Sequence, residues 1–280
     1  MKKLVFNGCS FMAGDELVWE QYHKDNNKSV VAPWYSNKEI TDAEHLFRVG
    51  YLQYRQYFNL PAIVTRMLDG SEKIDLSHDG KSNENIAIGT ITYLNTLSKE
   101  ERENCHVIIG WTCLSRILKY SKINNVFVDL SAGHYDKHTA DPAKNALKDY
   151  IKTRILGGDN EDFILDYVRN VMLLENYLIA NNVSYTFYRA LDDMVYGFEK
   201  IGPFNYINSY TLNIKDCSRH ENWYKFKDNN YTPINGLGWG FAFFNKPHMW
   251  VTPNNSHPNL EYIRIFSARL SEFIKTQQVL

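Results

Sequence analysis

The sequence has no excess of charge of either sign. Its 280 residues contain 31 Lys and Arg against 32 Asp and Glu, which gives a formal net charge of -1 at pH 7. A strongly basic chain has a positive electrostatic potential that attracts nucleic acid or anionic lipid. A chain with balanced charges has no such overall potential. We therefore expect neither a nucleic-acid partner nor a membrane partner.

Long hydrophobic runs, paired cysteines and phosphate-binding motifs are also missing. The opening MKKLVFNGCSF is too weakly apolar for a signal peptide, and no stretch approaches the ~18 apolar residues of a membrane span. The cysteines, at 9, 105, 113 and 217, form no C-x-x-C pair, so reduced thiols are expected. Neither G-x-x-x-x-G-K-[ST] nor G-x-G-x-x-G follows the first apolar run. These absences predict a soluble cytoplasmic protein without a cofactor.

Aromatic residues are plentiful, with 19 Tyr and 6 Trp. They concentrate in three long stretches of irregular period, which we interpret as insertions at about 20–58, 114–160 and 190–250. The rings either wall a pocket for a sugar or nucleobase or serve only for packing. The length suits one domain, 1–280, that carries these insertions.

Short apolar runs alternate with segments of helical period over the rest of the chain. Because no hairpin signal joins the runs, crossover connections and a parallel sheet covered on both faces are expected. The prediction is a three-layer α/β sandwich, with a mainly parallel sheet. The predicted strands are 3–7, 73–77, 106–110 and 183–188, and the predicted helices are 60–68, 84–97, 161–181 and 260–276.

In an open parallel sheet, ligands bind beyond the carboxyl ends of the strands. Four stretches of this sequence that lie there, or open the last helix, are NGCSFMAGDEL, HDGKSNENI, VIIGWT and NNSHPN. In order and spacing they resemble the blocks of the SGNH hydrolase (GDSL-like esterase/lipase) superfamily, above all its divergent members often encoded by bacteriophages. The resemblance implies an α/β/α fold of the SGNH or flavodoxin-like type, and host cytoplasm for a phage-encoded protein.

The resemblance assigns Ser10 as the nucleophile and His257 as the base. A serine hydroxyl needs a neighbouring base to be nucleophilic at pH 7, and imidazole titrates in the right range. The alternative is that each residue merely caps the helix that follows it. Cys9 is a thiol nucleophile in principle, but alternation at the strand end is expected to turn it into the core.

The family's oxyanion hole combines the Ser N–H, a Gly N–H and an Asn side chain. Ser10 and Gly80 match the first two groups, and the missing Cβ of Gly80 lets backbone approach a ligand. The third block has Thr112 where the family has Asn, so either the Thr112 hydroxyl or the Asn83 amide is expected to supply the third donor.

The last block has Asn254 where the family's D-x-x-H has Asp. An Asn oxygen orients an imidazole but does not stabilise its positive charge. Three outcomes stay open: a Ser–His dyad of modest activity, recruitment of Asp192 or Asp193, or binding without turnover.

Two further residues are candidates for substrate binding. Arg116 either contacts a carboxylate or phosphate of the substrate or is an ordinary surface arginine, and Trp111 lies in the same block. The segment 133–138 offers two imidazoles and a carboxylate, but a structural zinc site needs four ligands, so we expect no metal.

The sequence therefore predicts a serine esterase that removes an O-acyl or O-acetyl group from a polar small molecule or carbohydrate. The same Ser–His pair alternatively transfers the acyl group to an acceptor. A third possibility is a degenerate site in a ligand-binding or virion-associated protein. The oligomeric state is not encoded in any pattern that we recognise.

Overall fold

The main sheet has four parallel strands. The computed structural model describes residues 2–14, 17, 56–69, 72–113, 116–122, 125–130, 160–190, 222, 250–252 and 255–277. The strands are β1 (Lys3–Gly8), β2 (Lys73–Asp75), β3 (Cys105–Trp111) and β6 (Ser184–Arg189), numbered in chain order. They are arranged as β2-β1-β3-β6, and every pairing among them is parallel.

The chain reverses its direction of travel across the sheet between β1 and β3. It goes from β1 to β2 on one side and then crosses to β3 on the other side. Gly8 pairs with Gly110, so the carboxyl ends of these two central strands are level. A crevice at such a topological switch point is where open α/β sheets bind ligands.

Six helices accompany the sheet in the described residues. Their caps explain where three of them begin, because an Asn or Ser oxygen accepts from a free N–H of the first turn. Asn59, Ser82 and Asn259 accept in this way from Ala62, Asn85 and Tyr262. The helices are α1 (Ser10–Ala13), α2 (Leu60–Met67), α3 (Asn83–Asn95), α4 (Lys99–Glu103), α5 (Asn160–Ala180) and α6 (Leu260–Gln277).

Alternate strand residues belong to two separate hydrophobic clusters. Leu4, Phe6 and Ile108 pack with residues of α2 and α6. Val5, Val107 and Ile109 pack with residues of α3 and α5. Because successive strand residues point to opposite faces, alternate residues pack against different helices. The strands consequently read as continuous apolar runs rather than as an alternating pattern.

The predicted strands and helices are confirmed, with ends that differ by a few residues. The α/β class and the parallel sheet are confirmed with them. No helix in the described part of the chain is both long enough and apolar enough to cross a membrane.

Two antiparallel strand pairs were not predicted. The first pairs β4 (Ile117–Ser121) with β5 (Val126–Leu130), inside the stretch 114–160 that we interpreted as irregular. Its turn holds Asn125 at a φ of 55°, a left-handed conformation that Asn tolerates well. The second pairs β7 (Trp250–Thr252) with β8 (Asn255–Pro258). Most other residues of the three predicted insertions lie outside the described ranges.

Candidate active site

Ser10 lies directly beyond β1, at the carboxyl edge of the sheet. The N-cap of α1 is Cys9, in extended backbone (φ −89, ψ −167), and no side chain caps this helix. Ser10 is the first helical residue and is only 1% exposed. The interpretation of Ser10 as a helix cap is therefore wrong.

Cys9 is turned away from this edge into the core. Its side chain is fully buried in the cluster that contains Phe6 and Met12. The expected inward orientation of Cys9 is confirmed, but strand alternation does not explain it, because β1 ends at Gly8 and Cys9 packs with Phe6 rather than with Val5.

The backbone that carries His257 lies next to the backbone that carries Ser10. His257 belongs to β8, and α-carbons of β8 come within 8 Å of α-carbons of α1. Asn259, not His257, caps α6 through a 2.9 Å bond from the Tyr262 N–H to its Oδ1. The capping interpretation of His257 is therefore also wrong. Asn254 lies outside the described residues.

Gly80 forms the turn of the loop between β2 and α3. Its φ of 75° is left-handed, which a residue with a Cβ adopts only at a cost. A Cβ built on Gly80 meets nothing within 4 Å. The backbone conformation rather than a lack of room requires glycine, and the space beside its α-carbon is open.

Asn83 fastens this loop to the end of β3. Its Nδ2 donates to the carbonyls of Thr112 and Cys113, each at 3.2 Å, and its Oδ1 accepts from the Thr112 N–H at 2.9 Å. Both amide hydrogens are thus used by backbone carbonyls. Asn83 therefore positions the segment that follows β3. An oxyanion would have to compete with the two carbonyls for the N–H groups of Asn83.

Trp111, which ends β3, and Thr112, which follows it, have different surroundings. The Thr112 hydroxyl is buried and has no hydrogen-bond partner among the described residues. Trp111 is 0% exposed and packs edge-on against Tyr167 and Phe187. This corrects the prediction of Trp111 as a substrate-binding residue: β3 extends one residue further than predicted, so Trp111 points into the core with Ile109.

Lys81 and Asn7 form a partly buried hydrogen bond that joins the loop to β1. The Lys81 ammonium donates to Asn7 Oδ1 at 3.0 Å and to the Leu76 carbonyl. Asn7 Nδ2 donates to Ile86 O and Thr90 Oγ1 on α3. Burial lowers the pKa of Lys81, although Asp129 and Asp75 act in the opposite direction. The link holds β1, the loop and α3 in one arrangement.

Arg116 reaches across the edge from the third block to the second. Its Nη1 donates to the Lys81 carbonyl at 3.4 Å, while its Nε is buried and has no partner among the described residues. Burial opposes its charge, but Cys113, Cys9, Asp79 and Asp129 outweigh that effect and raise its pKa. The guanidinium is therefore always cationic.

Sequence analysis missed Lys81 and Asp129. Asp129, on β5, accepts from the Ser82 N–H at 2.8 Å and from Asn85 Nδ2 at 2.6 Å, so the first hairpin closes over the start of α3. The signal for Asp129 was the alternating VFVDL after Asn125. Lys81 gave no signal beyond its place after Gly80.

Several predicted residues lie outside the described ranges. These are Asp192, Asp193 and the segment 133–138 that was considered for a metal. Within the ranges that are described, no group of three or more His, Cys, Asp or Glu is placed to hold a metal ion.

Fold and site together define an α/β protein with a polar site at the carboxyl ends of β1 and β3. A family model matches residues 41–230, and the chain belongs to that family, which is described as a family of unknown function (DUF6071). The matched region contains Gly80, Thr112 and Arg116 but neither Ser10 nor His257. No curated protein and no solved structure matches the chain.

Proposed function

We propose that the protein is a serine esterase of SGNH type, built as a three-layer α/β/α sandwich. Ser10 is the nucleophile and His257 the base, and the substrate is an O-acyl or O-acetyl ester of a polar molecule such as a carbohydrate. The observation that carries the proposal is the proximity of α1, which begins at Ser10, to β8, which contains His257.

The surroundings of Ser10 suit acyl chemistry. Ser10 follows β1 at the switch point of the sheet, where a parallel sheet binds its ligand. The open left-handed turn at Gly80 and the unpartnered Thr112 hydroxyl supply candidate donors for an oxyanion. Both come from segments that the Asn83 amide fastens together.

The reaction proceeds in two balanced steps. Ser10 Oγ attacks the acyl carbon while His257 takes its proton, and the alcohol then leaves with that proton as the ester bond breaks. Water attacks the acyl-serine, gives a proton to His257, and releases the acid while Ser10 recovers its hydrogen. The N–H groups of Ser10 and Gly80 and the Thr112 hydroxyl stabilise the oxyanion in both steps.

Two features predict a slow enzyme with a small acyl group. Asn254 provides no negative charge for the imidazolium, and the comparable Asp-to-Asn change in a serine protease lowers turnover about 10⁴-fold. That value is a documented example from another protein and serves here only as a scale. Because Ser10 is 1% exposed, an acetyl group fits the remaining access better than a long chain does.

A fluorophosphonate probe tests the proposal. We expect covalent labelling at Ser10, and we expect no labelling in Ser10→Ala or His257→Ala. Ser98, an exposed serine that caps α4, provides the matched control, since Ser98→Ala leaves labelling intact. A folded wild-type protein that stays unlabelled contradicts the proposal.

The burial of Ser10 also favours a second function, acyl transfer. A site that excludes water protects the acyl-serine from hydrolysis and leaves it for an alcohol or amine acceptor. Product analysis with p-nitrophenyl acetate distinguishes the two functions. A new acetylated product that appears only with added acceptor indicates a transferase, and acetate alone indicates a hydrolase.

A further inference from the structure

The Arg116 guanidinium has far fewer partners than it has donors. A guanidinium carries five N–H groups. Among the described residues, Nη1 makes one long bond of 3.4 Å to Lys81 O, and the buried Nε makes none. The ion pairs of the described chain join other residues. Most of the hydrogen-bonding capacity of Arg116 is therefore unused.

A partly buried cation with so few hydrogen-bond partners lowers the stability of the folded protein. A partly buried charge without an ion-pair partner loses its hydration and gains little in return. Asp129 does not provide the missing contact, because it accepts from the Ser82 N–H and the Asn85 amide and forms no ion pair with Arg116 among the described residues. A buried polar group left in this state calls for an explanation, and a bound anion is a sufficient one.

The position of Arg116 links this unused capacity to the candidate active site. Its hydrogen bond goes to the carbonyl of Lys81, the residue that follows Gly80. Thr112, with its unpartnered buried hydroxyl, precedes Arg116 by four residues. The guanidinium thus lies where the segment after β3 meets the loop between β2 and α3.

We propose that Arg116 forms an anion subsite of this site, which binds a carboxylate or phosphate group of the substrate. The fork of a guanidinium matches the paired oxygens of either group, and such charge-assisted bidentate contacts are strong and directional. That the anion belongs to an ester rests on the proposed function. Anion binding itself does not.

The binding experiment uses Ser10→Ala, so that no turnover interferes. Thermal unfolding is followed while sodium phosphate or sodium acetate is added, with sodium chloride at equal ionic strength as the reference. We expect phosphate or acetate, or both, to raise the melting temperature beyond chloride, because a ligand that binds only the folded state stabilises it. The arm that gives the larger shift identifies the group. Equal shifts for all three salts overturn the proposal.

Arg116→Gln in the same background locates the effect. It removes the charge at similar size and should weaken anion binding about tenfold or more. Arg102→Gln is the matched control, because Arg102 also has a buried unpartnered Nε but lies on α4, before β3 begins. An anion effect that survives Arg116→Gln overturns the proposal. If that variant does not fold, Arg116→Lys, which lacks the fork, must show the same weakening.

A pair of esters separates this subsite from oxyanion stabilisation. The substrates are 4-acetoxybenzoate, which carries a carboxylate, and its neutral methyl ester. Arg116→Gln should lower kcat/KM about tenfold more for the acid than for the methyl ester. An equal fall for both esters overturns the proposal and assigns Arg116 to the oxyanion. If neither ester reacts while phosphate or acetate still binds through Arg116, the esterase proposal fails and the anion subsite stands.

Discussion

At the scale of single residues, Asn83 contributes more to structure than its place in a polar loop indicated. Its amide bonds to backbone groups of Thr112 and Cys113 hold the end of β3 against the start of α3. Nothing in the letters HDGKSNENI reveals this, because the partners lie some 30 residues away. Sequence analysis located the residue at the correct edge but could not identify what its donors contact.

Asn83→Asp tests this structural role. Aspartate keeps the acceptor for the Thr112 N–H but faces two carbonyls without donors, so we expect the unfolding free energy to fall by about 3 kcal/mol. Asn95→Asp is the control at the other end of α3, where only the acceptor oxygen is used, by Arg102 and Tyr177. Urea denaturation of both variants measures the difference. A loss of equal size at Asn95 contradicts the interpretation.

Thr112→Val separates catalysis from stability. The substitution removes a buried hydroxyl without a partner among the described residues and keeps the shape, so stability should stay equal or rise. Loss of an oxyanion donor should lower kcat roughly 10²-fold on p-nitrophenyl acetate. Thr112→Ser, which keeps the hydroxyl, should retain most activity. Full activity in Thr112→Val would exclude this residue from the oxyanion hole.

At the scale of elements, the sequence predicts those strands and helices that have a regular hydrophobic period. The central strands were predicted from continuous apolar runs at 3–7 and 106–110. Two of the helices were predicted from the helical periods that follow Asn59 and Ser82. The hairpin of β4 and β5 was missed because only Ser121 and Leu130 in it are buried, and Tyr120 and Phe127 pack on each other at its surface. Short strands with so few buried residues are hard to distinguish from a loop by hydrophobic pattern alone.

The end of β3 was predicted one residue too early, and this error changed the role that was predicted for Trp111. Because side chains alternate along a strand, ending β3 at Gly110 left the direction of Trp111 open and made it a binding candidate. The observed strand continues to Trp111 and turns the indole into the core. An error of one residue in a strand end changes which side chains of a site point towards a ligand. Sequence periodicity does not locate strand ends that accurately.

Gly110→Ala tests how closely β3 and β6 fit together. A Cβ at Gly110 would lie 2.7 Å from Tyr188 Oη, and the Tyr188 ring is held by packing against Phe266. We expect a loss of about 1–3 kcal/mol from overpacking. Gly80→Ala, where a Cβ meets nothing, should cost about 1 kcal/mol through its left-handed backbone alone. Thermal unfolding compares the stability losses of the two variants. A larger loss for Gly80→Ala than for Gly110→Ala contradicts this account.

At the scale of the whole molecule, His106 makes stability depend on pH. It is 2% exposed and hydrogen-bonds both ring nitrogens to the hydroxyls of Ser184 and Thr186. Burial, helped by Lys2, lowers its pKa from 6.5 to about 3. Between these values the unfolded chain binds a proton that the folded protein excludes. Stability is therefore complete above about pH 6.5 and falls as the pH decreases towards 3.

His106→Gln should remove this part of the acid sensitivity. The wild type should lose up to ~1.4 kcal/mol of unfolding free energy per pH unit more than the variant over that range. His78→Gln changes an exposed histidine and should leave the wild-type slope. Denaturant unfolding between pH 7 and pH 4 measures all three. Parallel curves for the wild type and His106→Gln would show that the imidazole is not excluding a proton.

The adjacency of α1 and β8 has a consequence for synthesis on the ribosome. These segments are separated by residues 14–254, yet their backbones lie side by side. A growing polypeptide displays Ser10 early but acquires its neighbour only after residue 258 has been translated. Nascent fragments that end at residue 190 therefore already contain β1, β2, β3 and β6 but lack β8. Under the proposed function, the Ser10 hydroxyl gains its base only when translation is nearly complete.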